Sequence, residues 1–81
     1  MNVKTRHVQA RFPDKEQYID LLMAQDSEFL ALAKDYDSCV DAMRYWIVSN
    51  APEAKSRIFE YYNLIKELEG EISQYLSAVR H

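Results

Sequence analysis

Residues 18–47 read YIDLLMAQDSEFLALAKDYDSCVDAMRYWI, and how that stretch folds decides the architecture. Leu22, Phe29, Tyr36 and Met43 recur every seven residues, interleaved with Leu32, Cys39 and Trp46. Such a period belongs to a helix packed lengthwise on another. The apolar face is wider than a two-position seam, because Ile19, Ala33, Val40 and Ile47 run beside it and offer a second edge. Gln25 and Asp26 interrupt the seam, and Ser27 follows them. A continuous helix is the reading adopted here; a break capped by Ser27 is the alternative, and it leads to a three-helix bundle.

Working outward, the segment Ser49-Asn50-Ala51-Pro52-Glu53 is the clearest boundary. Asn50 has the character of an N-cap with Glu53 three residues on, and Pro52 is harmless in a first turn because its missing amide hydrogen is not needed there. Beyond it Ile58, Ile65, Ile72 and Val79 interleave with Tyr61, Leu68 and Tyr75, which sets a return helix over about 51–79, about 44 Å long. So short a connection makes the two helices antiparallel neighbours. Gly70 falls within the return helix, either as a tolerated surface glycine or as a point of close helix approach.

Upstream, Asp14 with Gln17 three residues later marks a helix start, with Pro13 at the first helical position as the competing register. Residues 1–13 carry no helical period and read as a basic arm folding back through Phe12, leaving 14–81 as the helical hairpin domain with its turn at 49–52. Residues 1–15 hold Lys4, Arg6, Arg11 and Lys15 against Asp14, a net +3, whereas the remaining 66 residues carry a net −6. That acidic body repels a phosphate backbone.

Chemistry is sparse. The two histidines, His7 and His81, lie near the ends and neither follows a glutamate by three, so the carboxylate and Glu-x-x-His set of a bundle metal centre is missing. Glu67 and Glu71 share an outward face, and Asp35, Asp37 and Asp41 lack the glycine and terminal glutamate of a calcium loop. No serine has a histidine partner, there is no glycine-rich phosphate cradle, and Cys39 sits on the apolar stripe as a buried thiol. The expectations are a protein that is not an enzyme, has no cofactor and no metal, and resides in the cytoplasm without a membrane span or export signal.

The hairpin resembles the YdcH-type family of small bacterial helical-hairpin proteins of unassigned function. The likeness covers about residues 18–76. It rests on Phe29-Leu30-Ala31-Leu32, the aromatic Tyr36, a polar turn, and the return at Leu64-Ile65-Lys66-Glu67-Leu68-Glu69-Gly70-Glu71-Ile72. The resemblance implies the hairpin fold and little about activity.

A lone hairpin of 81 residues has a small core and leaves an elongated apolar edge in water. The fold class expected is therefore all-α: a long antiparallel helical hairpin that completes a four-helix bundle as a homodimer, with a monomeric three-helix bundle as the alternative. The function expected is protein–protein interaction, self-association first. Its face comprises Ile19, Leu22, Phe29, Ala33, Tyr36, Val40, Met43, Ile47, Tyr62, Ile65 and Leu76. Tyr45, Trp46, Phe59 and Tyr62 gather near the turn, as a local core or as a contact surface. The runner-up is a nucleic-acid accessory protein using Lys4, Arg6, Arg11 and Lys15.

Overall fold

A computed structural model describes residues 6–77, and within them every element is helical. Helix α1 spans His7–Arg11, a 3-10 turn spans Pro13–Lys15, and α2 (Glu16–Gln25), α3 (Ser27–Ile47) and α4 (Ala54–Ser77) follow. The expected stripes are present. They bring α3 and α4 together as antiparallel partners, with the Phe29 ring 5.3 Å from that of Tyr75 and the Tyr36 hydroxyl 2.7 Å from Glu69.

The long first helix is not continuous, which corrects the single helix expected over 14–48 as the first arm of the hairpin and follows the alternative break. Asp26 has extended backbone (φ −125°, ψ 105°), and its side chain accepts hydrogen bonds from the Glu28 and Phe29 amides at 3.0 and 3.1 Å. The physical reason lies in the heptad. Asp26 stands seven residues after Ile19 and seven before Ala33, so an unbroken helix would place a carboxylate on the apolar stripe. Breaking there turns the same carboxylate into an N-cap. The cap is thus Asp26, one residue earlier than Ser27.

Two smaller boundaries also move. Pro13 opens the 3-10 turn, so the competing register at the start is the one adopted, and Lys15 rather than Asp14 precedes α2 without a side-chain cap. At the far turn, α4 begins at Ala54 instead of Ala51. Ala51 O accepts from the Ala54 amide at 3.1 Å, and Ser49 Oγ accepts from the Ala51 amide at 3.1 Å. The proposed return-helix position Val79 lies outside the described residues.

The result is a compact all-α bundle within one chain. Helix α2 folds back along α3, and Ile19 becomes fully buried in the same core cluster as Phe29 and Ala33. Helix α1 lies across the hairpin from α3 to α4: Asp37 of α3 accepts from the Arg6 and His7 amides, and Glu69 of α4 pairs with Arg11 at 3.2 Å. Val8 of α1 is fully buried, and Phe12 packs against the same core, as the folded-back arm required. The core is Val8, Ile19, Phe29, Leu32, Ala33, Tyr36, Ile65, Ile72 and Leu76. The α1–α2 cover ends near Asp41, while the hairpin runs on past it to its turn. That gives a molecule of 49 × 28 × 21 Å.

Candidate interaction surface

Cover determines what is left exposed. Among the described residues seven large apolar side chains are exposed: Leu21, Tyr45, Ile47, Val48, Phe59, Tyr62 and Leu64. All but Leu21 belong to the turn-end half of the hairpin. On α3 the second edge passes from Ala33, fully buried, through the partly buried Val40 to Ile47, which is 56% exposed. On α4 the corresponding row passes from Leu76, buried, through Glu69, held by Arg11, to Tyr62, which is half exposed. Both rows belong to the face that α1 and α2 cover at the open end.

The turn-end aromatics do not form a closed local core. Phe59 is 66% exposed and Tyr45 63%; Tyr45 meets the neighbouring Trp46 ring edge-on at 5.1 Å, and Lys66 Nζ stands 5.8 Å from the Tyr62 ring centre. Residues 41–66 carry four basic and three acidic groups, a net +1, against six basic and ten acidic elsewhere, a net −4. The exposed apolar end is therefore also the electrically quiet end.

Of the eleven face residues expected from the sequence, Ile19, Phe29, Ala33, Tyr36, Ile65 and Leu76 are in the chain's own core. Leu22, Val40 and Met43 pack on its margin, and Ile47 and Tyr62 are exposed. Phe59 and Val48, more exposed than either, were not among the eleven. The available signal was their position just off a stripe beyond the last residue that a ten-residue α2 can reach.

The basic segment is drawn onto acidic helix surface. His7 Nε2 lies 2.9 Å from Asp41 Oδ1 and Arg11 pairs with Glu69, while Arg6 and Lys15 are exposed and Lys4 lies outside the described residues. His7, Asp37 and Asp41 bring one nitrogen and two carboxylate oxygens within 4.8 Å of one another, a grouping not anticipated when Asp37 and Asp41 were read without His7. Its internal hydrogen bonds explain it: Asp37 caps α1, and Asp41 holds the imidazole.

A second polar group is half hidden. Glu69 accepts from both the Tyr36 hydroxyl and Arg11 Nε. Burial, with the Glu69 carboxylate adding to it, raises the Tyr36 phenol above the ordinary tyrosine range. Cys39 is half-buried, its thiol pushed up by burial and by the nearby Asp35, which disfavours the thiolate a nucleophile needs. Gly70 is exposed, and a Cβ there would meet nothing within 4 Å, so it is a surface glycine.

Comparison with protein-family models, with curated proteins and with solved structures finds no match for this chain. None of the described helices is long and apolar enough to cross a membrane.

Proposed function

We propose that this protein acts by protein–protein interaction through the uncovered turn-end face, and that a second copy of the chain is its partner there. The observation that carries the reading is that, among the described residues, six of the seven exposed large apolar side chains are confined to that half. Ile47, Phe59 and Tyr62, with Val48 at the turn, expose on the order of 400 Å² there, the size of patch that marks an interaction site on a lone protein, while Tyr45 and Leu64, two positions from Ile47 and Tyr62 on their helices, project to the other side. The near-neutral charge of residues 41–66 lets two such faces meet without repulsion, whereas the acidic remainder of the surface opposes close approach. The reading assigns no catalytic step, cofactor or metal. Sedimentation equilibrium across about a hundredfold concentration range tests it. The expected result is a rapidly reversible rise in mass toward twice the 9.6 kDa chain, and Ile47→Glu with Tyr62→Glu should abolish that reversible rise. A wild-type mass constant at 9.6 kDa defeats the reading.

A second reading, a nucleic-acid accessory protein, is favoured by one observation: Arg6, Arg11 and Lys15 are all exposed and close together in the sequence. Set against it, Arg11 is shared with Glu69, and Asp37 and Asp41 flank the same segment. Fluorescence anisotropy with labelled oligonucleotides decides. This reading requires binding at low salt that weakens steeply as salt rises and is lost in an Arg6→Ala, Arg11→Ala, Lys15→Ala variant.

A further inference from the structure

We infer that α2 can exchange between two copies of this chain: residues 16–47 straighten into one helix, and α1 and α2 of each copy take on the other hairpin the place they hold on their own. This contact is at the open end of the hairpin and makes no use of the turn-end face.

The junction is built for it. A single residue, Asp26, separates α2 from α3, and it alone is extended between two helical segments. No glycine or proline occurs anywhere from Glu16 to Ile47. Changing the backbone of one residue therefore joins the two helices into a rod of 32 residues, about 48 Å long. The apolar register resumes in phase across the break, with Leu22 and Phe29 seven residues apart and Ile19 and Ala33 fourteen, and the straight form carries the Asp26 carboxylate on that second row as its cost. The straight form closes backbone hydrogen bonds across the junction and gives up the Asp26 cap.

The partner is fixed by what α1 and α2 recognise. They need seats for Val8 and Ile19, the Asp37 carboxylate across the Arg6 and His7 amides, Asp41 for His7, and Glu69 for Arg11. A second copy of the hairpin presents that set in the same arrangement, so each of these interactions, given up within one chain, is remade between two. Little but the junction and the entropy of association then separates monomer from exchanged dimer, and concentration sets the balance. Because return to the monomer requires α2 to leave its seat, the dimer persists on dilution.

Two substitutions push the balance in opposite directions. Ser27 is the first residue of α3, where proline is tolerated, and the extended Asp26 before it has close to the backbone that a following proline favours. In a straight helix the same proline stands mid-helix, clashing with the carbonyl of residue 23 and removing a hydrogen bond. Ser27→Pro thus admits the monomer alone. Asp26→Ala removes a cap present only in the monomer and improves the straight helix, and with two caps at stake per dimer it should raise the dimerisation constant roughly 30-fold.

The full chain is denatured and refolded at two concentrations about a hundredfold apart, then resolved by size-exclusion chromatography with light scattering. We expect a dimer peak from the concentrated wild type that survives dilution, a larger one from Asp26→Ala, and none from Ser27→Pro, whose monomer keeps wild-type helix content. Tyr62→Glu, which breaks the turn-end contact, should leave this dimer intact. A slowly exchanging dimer absent from both wild type and Asp26→Ala, or present undiminished in Ser27→Pro, overturns the inference. If Ser27→Pro does not fold, the Asp26→Ala result decides alone. A rapidly reversible dimer abolished by Tyr62→Glu would leave the turn-end reading standing by itself.

Discussion

Ala33 and Ile47 lie on one row of α3, fourteen residues apart, and their surroundings are opposite: Ala33 is completely buried in the core, and Ile47 is more than half exposed. The same contrast holds on α4 between Leu76 and Tyr62. Sequence period alone makes these positions equivalent, so what separates the two halves of the hairpin is the reach of the cover. Helix α2 is ten residues long, about 15 Å, and α1 ends the cover at Asp37 and Asp41. Polar ties follow the same division. Arg11 and Tyr36 on Glu69, the α1 amides on Asp37 and Tyr75 on Glu28 all cross between elements at the covered end, whereas the turn-end pair Arg57 and Glu60 lies within one helix. A half-covered hairpin thus keeps its stability at one end and offers surface at the other.

The covered half is most sensitive at Phe29. Phe29 is fully buried and packs edge-on against Tyr75, so Phe29→Ala should cost about 3–5 kcal/mol. In so small a domain that removes most of the stability, and urea unfolding followed by circular dichroism will show a largely unfolded chain at room temperature. A loss below about 1 kcal/mol would mean that the covered half is not the core.

Next in size is Tyr36→Phe, which deletes the hydroxyl that Glu69 accepts from and should cost about 1–2 kcal/mol, since Arg11 still satisfies the carboxylate. A pH signature accompanies it. The folded protein holds the Tyr36 proton at a pH where the unfolded chain, with an ordinary tyrosine, has begun to lose it. Its contribution is therefore complete below about pH 10 and falls as pH rises beyond that value. Urea midpoints on either side of about pH 10 should drop more for wild type than for Tyr36→Phe. Some slope should remain in the variant, because burial and the carboxylates of Asp26 and Glu28 also raise Tyr75.

Gly70→Ala should move the other way, stabilising by about 1 kcal/mol, because a helix-interior glycine is replaced where the new methyl meets nothing within 4 Å. A destabilised variant would reveal a close neighbour at that position.

Several of these features were legible in the sequence, for reasons that can be named. The α3 and α4 stripes appear because a period of seven survives wherever two helices pack lengthwise, and Phe29, Tyr36, Ile65 and Ile72 are core residues as that pattern demands. The break at Asp26 was visible only as an interruption. Local propensity there permits a helix, and the outcome turns on whether α2 gains more by folding back than by continuing. Helix α1 was harder still. Five residues carry too few turns for a period, and its position depends on Asp37, Asp41 and Glu69, thirty to nearly sixty residues away. The extent of the exposed face followed from that, since a segment without a visible period sets where the cover stops.

The smallest effect belongs to the turn end, and it bears most directly on the contrast. Phe59 is 66% exposed and Ile47 56%, so the surface they bury on folding is small, and serine has much the same helix propensity as phenylalanine or isoleucine. Phe59→Ser and Ile47→Ser, measured by urea unfolding at concentrations low enough to keep the chain monomeric, should each change stability by less than about 0.5 kcal/mol. Such near-silence in folding is what a surface kept for a partner requires: the side chains stay apolar although the monomer gains little from them. Were either substitution to cost about 2 kcal/mol or more, those side chains would belong to the chain's own core, and the division of the hairpin into a covered half and an offered half would fail.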